Sequence, residues 1–153
     1  VLLNDLYWDD TRDYLVSIIA RKDYTERELR TKLMERKTPG DIIDRAMEYL
    51  KERQFIDEKR FLSDYLAYLR KKGKYSRREI EQKVFKKCFS KDVMENIQSL
   101  LSDYTSSAVI ENLMEKQIKR HREKEKIFSY LLRKGFDYEE IIKVWKQLNK
   151  EKK

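Results

Sequence analysis

TERELRTKL, at residues 25–33, is the stretch that decides the fold class of this chain. It opens with a capping box, in which Thr25 caps the start of a helix and Glu28 reaches back to the backbone of the cap. Leu29 and Leu33 follow at a spacing of four residues, which places both side chains on one face of an α-helix. The stretch therefore predicts an amphipathic helix with a defined start and a buried stripe.

The apolar register of this helix returns twice along the chain, at shifts of 51 and then 47 residues. A second capping box, SRRE, opens the second copy at residues 76–79. The positions that are apolar in all three copies are Leu29/Ile80/Ile127, Leu33/Val84/Leu131, Ile43/Met94/Ile141, Ala46/Ile97/Val144 and Leu50/Leu101/Leu148. Amphipathic helices always resemble each other to some degree, but here the register also holds across the loop into the next helix. A tandem repeat explains this better than chance.

Helix start signals and a periodicity near 3.6 residues predict nine helices. They lie near residues 10–22, 25–36, 39–53, 58–72, 76–88, 91–103, 106–120, 123–134 and 138–150. We therefore predict an all-α fold of three tandem three-helix repeats. Because such small units bury little surface alone, we expect them to stack into an elongated, curved body. The predicted divisions are an N-terminal arm with the first repeat at 1–57, the second repeat at 58–105 and the third repeat at 106–153.

The composition excludes several classes of protein. With 3 Gly and 1 Pro in 153 residues, the chain lacks the turns of an all-β fold and the Gly-rich loops that cradle phosphates. The single Cys88 excludes an internal disulfide, and with the single His121 it excludes an ordinary Cys/His zinc site. His121 lies among cations with no nucleophile motif around it, so we expect a solvated surface side chain. We expect no cofactor.

Three acidic pairs offer a different interpretation, that of a metal-dependent nuclease. They are Asp9-Asp10, Asp57-Glu58 and Glu139-Glu140. Each pair lies at a predicted helix start, where carboxylates cap the helix and interact favourably with its dipole. Because no third carboxylate has the spacing of a ligand set, we predict caps, no metal site and no enzymatic activity.

The chain shows no sign of a membrane segment. No apolar run approaches the roughly 18 residues that span a bilayer, and the first residues lack the basic and apolar regions of a signal peptide. We expect a cytoplasmic protein without membrane contact. Whether further residues precede Val1 is left open.

The positive charge is concentrated in one segment. Residues 70–91 carry ten cations and two anions, a sum of +8 that equals the formal net charge of the whole chain. The repeat register adds Arg36 and Lys134, which are equivalent to Lys87 at the ends of the middle helices. The candidate nucleic-acid or filament-binding residues are Arg70, Lys71, Lys72, Lys74, Arg77, Arg78, Lys83, Lys86, Lys87, Arg36 and Lys134. Such a basic segment is typical of phosphate-backbone contact; helix-end capping, an acidic protein partner and solubility are the alternatives.

Four stretches, in order, resemble the RecX family of recombination regulators. ARKDYTERELRTKL at residues 20–33 resembles that family's A-R-R-x-x-S/T-x-x-E-L-x-x-K-L opening. FIDEKRF at 55–61 resembles its Y-I-D-D-x-x-F-A junction, and KGKYSRREI at 72–80 resembles its K-G-x-x-x-I helix. YLLRKGFDYEEI at 130–141 resembles its L-x-x-R-G-F-x-x-x-x-I ending. The resemblance covers about residues 14–148, and the ordered series is more specific than any one motif.

The chain also departs from the family pattern. Leu62 stands where Ala is usual, and Lys37 and Cys88 stand where Gly often closes the middle helix. Glu125 replaces an arginine that the two earlier copies share. These departures bear on the turns that close the first two middle helices and on the basicity of the third triplet.

The resemblance implies a non-enzymatic, all-α regulator of the RecA recombinase. Such a protein binds the RecA–DNA filament and inhibits its ATPase, strand-exchange and co-protease activities, and so acts in DNA recombination, DNA repair and the SOS response. We expect a monomer whose binding to single- and double-stranded DNA is weaker and depends on salt. The alternative is a general helical DNA- or RNA-binding protein without a recombinase partner. The sequence leaves open whether filaments are capped, disassembled or aided.

Overall fold

A computed structural model describes residues 2–151, and within that range the chain forms α-helices and connecting turns, with no strand. The ten helices of this range are α1 (Leu2–Ile19), α2 (Glu26–Glu35), α3 (Gly40–Glu52), α4 (Glu58–Lys71), α5 (Arg77–Lys86), α6 (Lys91–Met94), α7 (Ile97–Leu100), α8 (Ser107–Lys119), α9 (Lys124–Lys134) and α10 (Tyr138–Glu151). The prediction of an all-α fold is confirmed. Helices α1–α3 form the first triplet and α8–α10 the third. The second triplet consists of α4, α5 and a third helix that is divided into α6 and α7.

The middle helices of the triplets are α2, α5 and α9, and they keep the register that the sequence predicts. Their first residues, at 26, 77 and 124, follow the same shifts as the apolar positions. Leu29, Ile80 and Ile127 are all 0% exposed. The same holds one turn later, where Leu33, Val84 and Leu131 are also completely buried. The predicted equivalence of these buried positions is confirmed.

The last helices of the triplets carry the rest of the shared register. Helix α3 buries Ile43, Ala46 and Leu50, and α10 buries Ile141, Val144 and Leu148. In the second copy Ile97 and Leu101 are buried, whereas Met94 is half-buried. Four of the five shared positions are therefore buried in every copy, and the exception lies where the second copy departs from regular helix.

Two helix boundaries differ from the prediction. Helix α1 begins at Leu2 rather than near residue 10; the extension includes the buried Trp8, whose ring meets that of Tyr49 edge-on at a centroid distance of 5.3 Å. The predicted helix at 91–103 is divided into α6 and α7. The chain tightens between them, where the backbone N–H of Asn96 donates to the carbonyl of Val93 at 3.2 Å, an i→i−3 bond typical of a 3₁₀ turn.

Every middle helix closes through a residue in the left-handed region. These residues are Lys37 (φ 61°), Cys88 (φ 58°) and Gly135 (φ 102°). In the first copy the N–H of the next residue, Thr38, donates back to the carbonyl of Leu33 at 3.0 Å, which is the pattern of a Schellman cap. The closing turn is therefore left-handed in all three copies, although the first two copies have no glycine at this position.

The described residues form two compact units, each with its own hydrophobic core. The first unit comprises residues 2–64 with Phe85–Asn96, and the second comprises Tyr65–Val84 with residues 97–151. Helices α1–α3 supply the core of the first unit, and α8–α10 supply the main core of the second. Because the middle triplet contributes to both units, the predicted boundaries between repeats stay predictions.

Candidate functional site

Five lysines of the predicted binding set make no ion pair within residues 2–151, and we call them the unpaired lysines. They are Lys71, Lys72, Lys74, Lys83 and Lys86. Four of them are exposed and Lys83 is half-buried. Helix α4 ends at Lys71, and Gly73 then adopts a φ of 63°, which leads the chain away from the helix axis. The ammonium groups of this set are therefore available to an anionic partner.

Tyrosine rings lie under three of the unpaired lysines. The Nζ of Lys72 is 5.0 Å from the ring centroid of Tyr68. The Nζ atoms of Lys74 and Lys83 are 5.4 and 4.8 Å from the ring centroid of Tyr75. Cation–π contacts of this kind keep long side chains close to the surface without neutralising them. The second compact unit thus presents adjacent positive charges and aromatic rings.

Tyr75 itself is held by a tyrosine of the second unit. The hydroxyl of Tyr104 donates to the backbone carbonyl of Tyr75 at 2.5 Å. Burial raises the pKa of Tyr104 above its ordinary value, because a charged phenolate is poorly solvated there. The raised pKa moves ionisation of this hydroxyl further above neutral pH.

Two arginines of the predicted set are already engaged within the second unit. Arg70 forms an ion pair with Asp103 at 3.0 Å, and its hydrogen bond and charge hold the pKa of that carboxyl below the usual value. Arg77 contacts Glu81 at 3.2 Å and donates to the side-chain oxygen of Gln98 at 2.5 Å. Their guanidinium groups therefore bind side chains within the second unit. Their predicted role in nucleic-acid or filament binding stays a prediction.

A further group of predicted residues lies where one middle helix meets the next. The Thr25 hydroxyl donates to the carbonyl of Lys87 at 2.7 Å, and the Ser76 hydroxyl donates to that of Lys134 at 2.5 Å. The Nζ of Lys134 also lies 3.0 Å from the carboxylate of Glu79. In both cases the N-cap of one middle helix binds the C-terminal end of the following one. We call these contacts the cap junctions.

The second cap junction includes a third predicted residue, Arg78. Its guanidinium donates to the carbonyl of Arg133 at 2.7 Å, and a Cβ at Gly135 would lie 2.7 Å from its Nε. In the first copy, Arg36 instead lies 3.9 Å from the ring centroid of Tyr14 and 3.5 Å from the carboxylate of Asp10. Lys134, Arg78 and Arg36 therefore all have contacts within the protein.

An exposed apolar side chain that sequence reasoning missed recurs on every middle helix. Met34 is 59% exposed, Phe85 is 76% exposed and Leu132 is 42% exposed. An exposed, uncharged polar residue lies one turn before each of them. The resulting pairs, which we call the outer pairs, are Thr31/Met34, Gln82/Phe85 and Ser129/Leu132. The sequence does contain a signal for these pairs. Their positions follow the same shifts of 51 and 47 residues, and they lie on a different face of the helix from the buried stripe.

The acidic pairs do not assemble a metal site within residues 2–151, where no group of three or more His, Cys, Asp or Glu side chains could hold an ion. Asp57 accepts from the backbone N–H of Arg60 at 3.1 Å, which is the predicted cap. Glu58 accepts from the N–H of Ser90 at 2.8 Å and from that of Glu26 at 3.4 Å. These carboxylates therefore satisfy backbone donors of the first unit.

His121 is exposed and adopts a φ of 58° just after α8, in agreement with the predicted surface histidine. Among the described residues, no helix has the length and apolar character needed to cross a bilayer.

Comparison with known proteins gives consistent similarities. A sequence model described as the first three-helix domain of RecX matches residues 12–50. The regulatory protein RecX of Clostridium perfringens (strain SM101) is 32% identical over 124 residues, which cover 75% of this chain and 57% of that protein. The regulatory protein RecX of Haemophilus influenzae (strain PittEE) is 29% identical over 136 residues, which cover 84% of this chain and 88% of the relative. The chain thus spans little more than half of the Clostridium protein.

Solved structures show the same fold. The crystal structure of RecX from Lactobacillus salivarius superposes with a TM-score of 0.75 at 21% identity, covering 94% of this chain and 97% of the other. A second crystal structure, of a regulatory protein RecX, gives a TM-score of 0.74 at 17% identity and covers 92% of this chain and 72% of the other. The helical architecture is therefore shared along almost the whole length of the chain.

Proposed function

Because the chain belongs to the RecX family, we propose that it regulates the RecA recombinase by binding the RecA–DNA filament. Bound there, it lowers the ATPase, strand-exchange and co-protease activities of RecA without catalysing a reaction of its own. It acts as a cytoplasmic monomer in DNA recombination, DNA repair and the SOS response. The similar proteins carry the name of regulatory proteins, which supports a regulatory role rather than an enzymatic one.

The outer pairs are the observation that carries this proposal. Single exposed apolar residues are common on protein surfaces and need no explanation. Here, however, the residue recurs at one register position in three copies, in a chain with 42% charged residues. The polar partner of each pair is uncharged as well. Protein–protein interfaces are depleted of charge at their centre and enriched in Phe and Met, which is the chemistry that Phe85 and Met34 present.

The repetition of the outer pairs suits a partner built of identical subunits. A filament offers the same receptor surface at regular intervals, so each copy of the repeat can make the same contact with a different subunit. Contacts that are joined in one chain act at a high effective concentration and strengthen each other. Inhibition is then expected well below one copy of this protein per RecA subunit.

The unpaired lysines support the DNA component of the proposal. Their ammonium groups make no ion pair within residues 2–151 and suit contact with phosphates, and every phosphate contact releases counterions from DNA. The same chemistry also favours the second candidate function, that of a general helical DNA- or RNA-binding protein. That alternative predicts binding to free nucleic acid and no effect on RecA until the nucleic acid is covered.

The test is the DNA-dependent ATPase rate of RecA against added protein, with free-DNA binding measured alongside. We expect Phe85→Ser to raise the half-inhibitory concentration by about tenfold, since a central aromatic contact is commonly worth more than 1 kcal/mol. Val16→Ser is the matched control, because Val16 is 42% exposed but lies outside the repeat register. This control is expected to inhibit as the parent does.

Two outcomes would contradict the proposal. If a variant with all three apolar members of the outer pairs changed to Ser inhibited RecA as the parent does, the outer pairs would not contact the filament. If inhibition appeared only after the protein had saturated the DNA, competition for DNA would explain it and the general nucleic-acid-binding function would be preferred.

A further inference from the structure

A groove of about 580 Å³ lies on the third triplet, along α9 and α10, within the second compact unit. Three aromatic side chains line it, Phe128, Tyr138 and Trp145. Tyr138 is 52% exposed, and the other two are half-buried. An aromatic cluster that only filled a core would be closed to solvent, whereas this one opens into the groove.

The rings in the groove meet edge to face and do not stack on one another. Phe128 and Trp145 have centroids 5.7 Å apart and an interplanar angle of 81°, and Phe128 and Tyr138 have centroids 6.2 Å apart at 75°. The Nζ of Lys124 lies 5.5 Å from the Phe128 centroid and 5.7 Å from that of Trp145. Because Lys124 is exposed, the side chain over these rings is one that a ligand can displace at low cost.

The repeat architecture does not require aromatic residues at these positions. By the repeat register, Phe128 corresponds to Glu81 and Arg30, Trp145 to Gln98 and Met47, and Tyr138 to Lys91 and Gly40. The first two copies therefore fold without any aromatic side chain there. The cluster is particular to the third copy, which indicates a role that the other copies do not share.

The charge of the groove selects the kind of ligand. Lys124 and Lys146 line it together with one acid, Glu125. Two ammonium groups disfavour a cationic ligand and favour an anionic one, and the aromatic faces favour a flat π-system. A nucleotide of a single strand combines both properties, because its base can stack while its phosphate meets a lysine.

We propose that this groove binds an unstacked base of single-stranded DNA. The base stacks on the face of Trp145, with the Phe128 ring nearly perpendicular to that face and Tyr138 at the side, and Lys124 turns from the rings to the adjacent phosphate. The choice of DNA over RNA rests on the proposed function, whereas the base site itself does not. The site lies outside the basic segment 70–91 and adds base contact to the charge contact of the unpaired lysines.

The fluorescence of Trp145 tests the proposal directly. Trp8 is 8% exposed in the core of the first unit, and a Trp8→Phe variant leaves Trp145 as the single tryptophan of the chain. In this background we expect oligothymidylate to quench the Trp145 emission as it binds, since stacking on a base quenches indole fluorescence. Double-stranded DNA, whose bases are already stacked, is expected to bind with little quenching. Oligouridylate measured in parallel distinguishes RNA from DNA.

A variant series tests the contribution to affinity. We expect Tyr138→Ser to weaken binding of oligothymidylate by about tenfold, within the range measured for loss of a base–aromatic contact, and Tyr138→Phe to restore it. Phe55→Ser is the matched control, because Phe55 is a 48% exposed aromatic residue in the first unit. Equal helical circular dichroism in all variants shows that folding is unchanged.

The outcomes separate this proposal from the function proposed above. The base site is refuted if DNA binds without any change in Trp145 emission, or if Tyr138→Ser and Phe55→Ser weaken binding equally. It is also refuted if Tyr138→Ser loses RecA inhibition while keeping full affinity for oligothymidylate, since the groove would then serve a protein partner. Normal RecA inhibition by a variant with weakened single-strand binding supports both proposals.

Discussion

Lys37 and Cys88 show that a residue other than glycine can adopt the left-handed conformation that closes a middle helix. Both adopt a positive φ, of 61° and 58°, although this region costs an L-residue with a Cβ roughly 1–2 kcal/mol of conformational free energy. Gly135 occupies the same position in the third copy, and there a Cβ would also lie 2.7 Å from Nε of Arg78. In the third copy a side chain at this position would also have to displace the Arg78 side chain, whereas the first two copies carry a side chain in the left-handed region.

We expect Lys37→Gly to raise the free energy of unfolding by up to about 1 kcal/mol. Glycine removes the steric cost of the left-handed region, and this gain is partly offset by the greater entropy of glycine in the unfolded chain. Chemical denaturation of the parent and the variant measures the difference. Lys37→Ala removes the same charge but keeps Cβ, and an equal gain in that control would mean that backbone strain is not the cause.

At the scale of elements, the cap junctions join successive middle helices. Thr25 and Ser76 are 0% and 1% exposed, and each hydroxyl bonds both to its own helix and to the end of the next. In the third copy the N-cap is Glu123, which makes no side-chain cap hydrogen bond. The series of hydroxyl caps therefore ends at the third copy within the described residues.

Loss of one cap hydroxyl is expected to destabilise the protein by about 2 kcal/mol. Ser76→Ala removes an N-cap bond and also leaves the carbonyl of Lys134 without its donor in a partly buried place. Thermal or urea unfolding measures the loss. Ser90→Ala is the control, because Ser90 is an N-cap with an exposed side chain and no side-chain cap bond; a similar loss there would show that the junction contributes nothing beyond an ordinary serine.

For the whole molecule, the formal charge of +8 does not show which cations are paired with carboxylates and which are not. Lys134 lies 3.0 Å from Glu79 and Arg70 lies 3.0 Å from Asp103, so their charge is compensated locally. The unpaired lysines carry charge that is not compensated. Attraction to DNA is therefore expected to come from fewer residues than the basic segment contains.

We expect the triple change of Lys72, Lys74 and Lys83 to Ala to flatten the dependence of log affinity for DNA on log salt by up to about 3 units, if each lysine meets one phosphate. Affinity measured by fluorescence anisotropy over a range of salt concentrations tests this. Lys134→Ala is the comparison, since its ammonium already pairs with Glu79. It is expected to lower stability and to leave the slope almost unchanged; the reverse ranking of slopes would contradict this assignment of charges.

The sequence by itself determined the fold class and the buried register. Leu29, Ile80 and Ile127 are predictable because helical periodicity is a local property, read from residues three or four apart. The concentration of cations in 70–91 is likewise visible without a structure. The start of α1 was not predictable from its own residues, because Trp8 gains its burial from Tyr49 on another helix.

Only the tertiary structure decided which of those cations are engaged and which surfaces are open. The partners of Lys134 and Arg70 are 55 and 33 residues away along the chain, so their pairing depends on how helices are brought together. The opening of the groove beside Trp145 has the same origin. A side chain of given type is buried or exposed according to what distant elements place against it, and no local pattern records that.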